Sequence, residues 1–168
     1  MQSNPERASG SKASGDAGPA AGWAVTAALF GSAACLAAYL AWASGFSGTV
    51  AGCGPEAGCG EVLKTRWGRW FGIPVGGLAT VAYAILGGMA WKSRKGATQG
   101  MLQGIIAGCG TVLLAAAWFV GLQAFVIGKF CVLCCATHGL AATASLTGLW
   151  IVRGAGRNPA VPLAQPSL

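Results

Sequence analysis

The sequence predicts an all-α membrane protein: a four-transmembrane-helix bundle with a short amphipathic helix in its first outer loop. Three observations carry this. Charged residues make up 9% of the 168 and hydrophobic residues 54%, whereas a soluble domain carries roughly 25% charged residues. Such a chain cannot solvate a globular surface. Glycine occurs 28 times, and small residues let helix backbones approach closely inside a bilayer. Four stretches free of charge, about Trp23–Gly45, Ile73–Trp91, Leu102–Ile127 and Cys131–Val152, lie near or above the ~20 residues that cross a ~30 Å hydrocarbon core.

Each element follows from local sequence. The first stretch is preceded by Arg7 and Lys12, and Ala41-Trp42-Ala43 resembles a signal-peptidase site. Its apolar run exceeds the ~7–15 residues of a signal core, so it is read as an uncleaved span. Trp23, Trp42, Trp91 and Trp150 sit near span ends, where interfacial anchors belong. Alternating strand patterns are absent, which disfavours a barrel. Residues 1–20 are rich in Ser, Gly, Ala and Pro and read as a disordered tail. Residues 21–152 form the membrane domain, and residues 153–168 a short tail with three prolines.

The net charge of +7 does not point to nucleic acid, because the basic residues lie at span ends and form no stripe. Lys92, Arg94 and Lys95 between spans two and three, Arg7 and Lys12 before the first, and Arg153 and Arg157 after the last make seven on one side. Lys64, Arg66, Arg69 and Lys129 make four on the other. The positive-inside rule then puts both termini in the cytoplasm. The loop of residues 46–72 faces outward. Within it Leu63, Trp67, Trp70 and Phe71 fall at i, i+4, i+7 and i+8, the stripe of an amphipathic helix lying on the membrane surface and ended by Gly72 and Pro74.

This topology brings four cysteines to one face. Cys53 and Cys59 lie in the outer loop, and Cys131 and Cys134 open the fourth span just after the turn of residues 128–130. Both pairs therefore meet outside the reducing cytosol. In "CVLC" the sulfurs sit at i and i+3, on one helical face. Cys131 lies at a helix N-terminus, where free N–H groups and the macrodipole favour a thiolate. In "CGPEAGC" the turn residues Gly54, Pro55 and Gly58 let Cys53 and Cys59 bridge or separate. Two such pairs within reach of each other can pass two electrons by thiol–disulfide exchange.

Blander readings stand beside this one. Cys53 and Cys59 suit a structural staple, and Cys131, Cys134, Cys135 and His138 offer three thiolates and an imidazole to zinc. Against zinc, Cys135 points about 100° from Cys134 around the helix. Cys135, Cys35 and Cys109 are read as small packing residues. His138 extends the stripe of Cys131 and Cys134 to i+7, about 10 Å below the helix start. An ionisable group at that depth is functional by default, the alternative being an interhelical hydrogen bond. Gly104-x-x-x-Gly108 and Gly72-x-x-x-Gly76 are read as helix packing.

Taken together, the pair Cys53/Cys59, the following "EVLKTRWGRWFGIP", the span with Gly77 and Tyr83, and the late Cys131-x-x-Cys134 resemble the vitamin K epoxide reductase family in its bacterial single-domain form. The resemblance covers residues 23–152. It implies a four-helix bundle around a quinone (ubiquinone, menaquinone or vitamin K), capped by the loop helix, with no metal. It implies redox disulfides Cys53–Cys59 and Cys131–Cys134. Cys53 would exchange with a thioredoxin-like partner, Cys59 would relay to Cys131, and Cys134 would face the quinone. Thr65, six residues after the second loop cysteine, matches a Ser or Thr that contacts loop or substrate. His138 stands where animal members have a quinone-contacting tyrosine. No fused thioredoxin-like domain is found, so a separate extracytoplasmic thiol protein is the expected partner, with the chain in a bacterial inner membrane.

Overall fold

The computed structural model describes residues 19–47, 50, 53 and 58–157. Most of residues 1–20, part of the 153–168 tail, and Gly54, Pro55 and Glu56 lie outside the described residues. The chain is dominated by helices: α1 (Pro19–Trp42), α2 (Cys59–Lys64), α3 (Val75–Ser93), α4 (Gln99–Gly121) and α5 (Val132–Arg157). A two-stranded hairpin, β1 (Arg69–Trp70) and β2 (Ile73–Pro74), follows α2, and short π-helical segments extend α1 through Ser47 and α4 through Ile127. Three stretches have the length and apolar composition to cross a membrane: Pro19–Gly45, Gln99–Ile127 and Val132–Gly154. The chain is therefore a membrane protein. Helix α3, at 19 residues, is about 28 Å long at 1.5 Å per residue, but its glycines, Tyr83 and Lys92 dilute its apolar character.

The four long helices run alternately up and down. Gly76 at the start of α3 lies against Ala37 and Ala41 late in α1, and Gly87 near its end lies against Phe30 and Ala27. Gly22 early in α1 meets Ile151 late in α5, Gly104 and Gly108 of α4 meet Met89 and Leu86 of α3 in reversed order, and Gly148 of α5 faces Cys109 of α4. Side chains cannot intervene at such approaches: a Cβ on Gly76 would stand 2.9 Å from the Ala37 carbonyl oxygen. The core these contacts enclose is built on Phe30, Tyr83, Leu86, Ile105, Cys109 and Val112. The buried Ser and Thr hydroxyls among the described residues are satisfied within their own helices, as Thr26 is by the Gly22 carbonyl and Ser145 by that of Ala141, which removes the cost of unpaired donors in an apolar medium.

Four expectations are corrected. Trp23, expected as an interfacial anchor, is buried in the core, whereas Trp42, Trp91 and Trp150 are exposed. Cys35, expected to pack, is exposed on α1, while Cys109 is buried. Gly72 takes part in no helix contact; it adopts a left-handed φ of 82° in the hairpin turn. The amphipathic helix does not run through Trp67 to Phe71. It stops at Lys64, where Thr65 turns extended and donates its hydroxyl to the Val62 carbonyl. Phe71 (φ 51°) and Gly72 then form the two-residue turn that pairs Trp70 with Ile73, a geometry that needs positive φ at both positions.

Candidate functional site

The site is assembled at the end of the bundle where α4 stops and α5 begins. Gly128, with φ of 66°, closes α4's π-helical extension in a left-handed C-cap. Lys129 and Phe130 complete the turn, and Cys131 then caps α5. Its sulfur accepts the Cys134 backbone N–H at 3.2 Å, satisfying one of the donors a helix start leaves free. That bond and the helix dipole favour a thiolate at Cys131.

The loop docks over this turn. Gly58 is buried, and a Cβ there would lie 2.6 Å from the Lys129 Cβ, so only glycine lets the loop backbone sit this close. Glu61 forms an exposed ion pair with Lys129 at 4.0 Å, a contact worth at most about 1 kcal/mol. Docking brings the start of α2 to the start of α5. Cys53 and Cys59 are joined as a disulfide. The sulfurs of Cys53, Cys59 and Cys131 all lie within 4.8 Å of one another. Cys59 and Cys131 are fully buried, and Cys53 is half-exposed.

Three sulfurs so close would suit a metal, but two are bonded to each other and supply no thiolate in this state. The arrangement is that of a disulfide facing an incoming thiol. Among the described residues, this is the donor group compact enough for a metal ion, and the set of Cys131, Cys134, Cys135 and His138 is not. Cys131 and Cys134 are free thiols here.

Beneath the sulfurs lies an apolar cavity of about 80 Å³, where a single water needs only about 10–15 Å³. Its walls come from α1, α3, α4 and α5, and its roof from the segment after α2. Cys134 and His138 line one side, with Tyr83 and Phe119 on others and Thr65 and Trp67 above. The His138 ring stacks on Phe119 at 5.7 Å, inclined by 8°. Its Nδ1 is buried with no hydrogen-bond partner, and a buried polar atom left unpaired calls for a ligand or an explanation. Trp67 packs edge-on against Trp118 of α4 at 6.3 Å, and Arg69 donates to the Ser44 carbonyl at 2.7 Å. These contacts tie the roof to the ends of α4 and α1.

Each predicted site residue thus has a place. Cys53, Cys59 and Cys131 meet; Cys134, Thr65 and His138 meet in the cavity below. Sequence reasoning missed Gln123. It is 2% exposed and accepts the Cys131 backbone N–H on Oε1 at 2.7 Å. An uncharged amide deep in an apolar run, eight residues before the dithiol, was the available signal.

Searches of the curated proteins and of the solved structures each return no match. The model of the vitamin K epoxide reductase family matches residues 22–149. That span contains both cysteine pairs, the docked loop and the cavity, and with it the chain belongs to the vitamin K epoxide reductase family, as a membrane thiol–disulfide oxidoreductase.

Proposed function

We propose that this protein takes electrons from an extracytoplasmic thioredoxin-like protein, which leaves with a disulfide, and delivers them to a membrane quinone. The observation that carries the reading is the vertical order of the sulfurs and the cavity. A half-exposed Cys53 stands outermost, the buried Cys59 and Cys131 stand next within 4.8 Å, and Cys134 opens into an apolar cavity.

In this reading a partner thiolate attacks Cys53, and a second partner thiol completes reduction of the loop pair. The Cys59 thiolate then attacks Cys131 of an oxidised Cys131–Cys134 pair, and Cys134 leaves as a thiolate. Cys53 resolves the Cys59–Cys131 bond, which restores the loop disulfide. A quinone in the cavity accepts two electrons and two protons as the Cys131–Cys134 bond re-forms. Cys134 supplies the thiolate beside the ring. The unpaired Nδ1 of His138 would engage a ring oxygen, and Thr65 and Trp67, which line the roof, would keep water from it. A quinone fits these residues because the walls are apolar and the unpartnered polar atom is of the kind a carbonyl ligand engages.

The topology proposed with it has α3 as a fourth crossing helix, both termini in the cytoplasm and the loop on the outer face of a bacterial inner membrane. The experiment is quinone reduction by the purified chain in detergent, driven by dithiothreitol. Turnover is expected for the intact chain and absent for Cys134→Ser. The rival reading, a metal-binding or stapled structural protein, predicts bound zinc lost with Cys134 and no quinone reduction by any variant.

A further inference from the structure

Cys131 has two downstream thiols in reach. Along a helix, Cα atoms at i+3 and i+4 lie roughly 5 and 6 Å away, and both separations fall within the range that disulfides span. Spacing alone therefore does not decide between Cys134 and Cys135. The choice has consequences, because Cys134 lines the cavity and Cys135 is not among its walls.

We propose that Gln123 makes this choice, holding the Cys135 thiol away from Cys131 so that Cys134 alone completes the redox pair. Gln123 sits in the π-helical segment Leu122–Ile127, whose wider turns displace it from the regular helical register. Its Oε1 accepts two donors, the Cys131 N–H at 2.7 Å and the Cys135 S–H at 3.8 Å. Its Nε2 donates to the Phe119 carbonyl at 3.5 Å. A flipped amide would put two donors face to face at Cys131, so the partners fix its orientation. The outcome is a division of directions. The Cys131 sulfur is turned to the Cys134 N–H at 3.2 Å, and the Cys135 sulfur is turned to Gln123.

Loss of this amide frees an isomerisation that needs no oxidant. A Cys135 thiolate attacks Cys131 of the Cys131–Cys134 disulfide; one S–S bond forms, one breaks, and Cys134 leaves as a thiolate that takes up the proton Cys135 gave up. The product stores the same two oxidising equivalents in a pair that the cavity does not contact. Gln123 is a positioning residue in this account. The inference rests on reading Cys131 and Cys134 as the redox pair.

The test is disulfide mapping by mass spectrometry after oxidation of the full chain with diamide, alongside dithiothreitol-driven quinone reduction. Gln123→Met keeps the length of the side chain and removes the acceptor. The intact chain should give Cys131–Cys134 with Cys135 free. In Gln123→Met the Cys131–Cys135 form should rise and quinone reduction should fall, each roughly tenfold for the loss of one buried hydrogen-bonding group. Adding Cys135→Ser should restore turnover to within about twofold, which a merely structural role for Gln123 would not allow. An unchanged map, or slow turnover that Cys135→Ser leaves slow, overturns the proposal. Should Gln123→Met fail to accumulate in membranes, Cys134→Ser with Gln123 intact carries the test. Cys131 should then remain unpaired with Cys135 on oxidation, and a predominant Cys131–Cys135 bond overturns the proposal. The map uses no quinone, so it reads out even if the chain reduces none.

Discussion

Gly58 lies directly against the side chain of Lys129, at a separation that leaves no room for a Cβ. This contact joins the residue before Cys59 to the turn before Cys131, so it sets how closely the loop disulfide approaches the Cys131 thiol, its partner in the proposed exchange. Gly58→Ala would place a methyl 2.6 Å from the Lys129 Cβ, and one of the two backbones must retreat. Exchange between the loop pair and Cys131 should slow by roughly tenfold, since displacement of about 1 Å at a reacting centre is costly. Quinone reduction driven by dithiothreitol should persist, because that reductant reaches Cys131–Cys134 without the loop. Lys129→Gly, which removes the colliding atom, should rescue the exchange. Unchanged exchange kinetics in Gly58→Ala would show that the loop is free to rearrange.

The relay makes a second prediction. Cys53→Ser and Cys59→Ser should each abolish turnover with a protein thiol donor, while both retain activity with dithiothreitol. Stopped-flow measurement of quinone absorbance under the two donors separates the cases. If protein-driven turnover survives either substitution, the Cys53–Cys59 bond is a staple and not a carrier.

Orientation is tested by labelling. With seven basic residues assigned to one side and four to the other, both termini should be cytoplasmic. A membrane-impermeant maleimide applied to intact cells after mild reduction should label Cys53, the half-exposed member of the loop pair. Labelling that requires lysis reverses the topology.

The helices and the meeting of the cysteines were readable because both follow from coarse properties. Long uncharged runs must be helical in lipid, and the antiparallel pair α3 and α4 between them brings the start of α2 and the 128–131 turn to one end of the bundle. Finer features depend on contacts that composition does not report. Trp23 and Trp42 carry the same interfacial signature, yet Trp23 is buried because α1 packs its first turns against α5, where Gly22 meets Ile151. The spacing of Leu63, Trp67, Trp70 and Phe71 matches a helix, but Thr65 closes α2 by bonding the Val62 carbonyl and Phe71-Gly72 turns the chain into a hairpin. Periodicity counts apolar positions and is blind to those two local bonds. Gln123 was harder to read for another reason: an amide in an apolar run signals a buried polar group, but not that it bonds Cys131, eight residues on, across a π-helical turn.

His138 carries the last prediction. It lies one turn beyond Cys134 on α5, lines the same cavity, and is held by its stack on Phe119 with Nδ1 buried and unpaired. An unpaired atom of this kind costs about 1–3 kcal/mol unless something engages it. A ring oxygen in the cavity would do so, and would gain most as negative charge develops there during reduction. His138→Ala should therefore slow quinone reduction by roughly 10–100-fold, the kinetic equivalent of one buried hydrogen bond. The defect should fall on the quinone step alone. Exchange between the loop pair and a thiol donor, followed by trapping free thiols at timed intervals, should proceed at the wild-type rate, because Cys131, beside which the loop pair lies, is about two helical turns before His138. His138→Phe separates hydrogen bonding from packing, since it keeps a ring against Phe119 but has no polar atom. If the phenylalanine variant reduces quinone as fast as the wild type, the imidazole serves only to hold α4 against α5. If both variants are slow by the same factor, the loss of the imidazole nitrogens and not of ring packing is the cause, and the buried, unpaired Nδ1 is the atom placed to meet the acceptor.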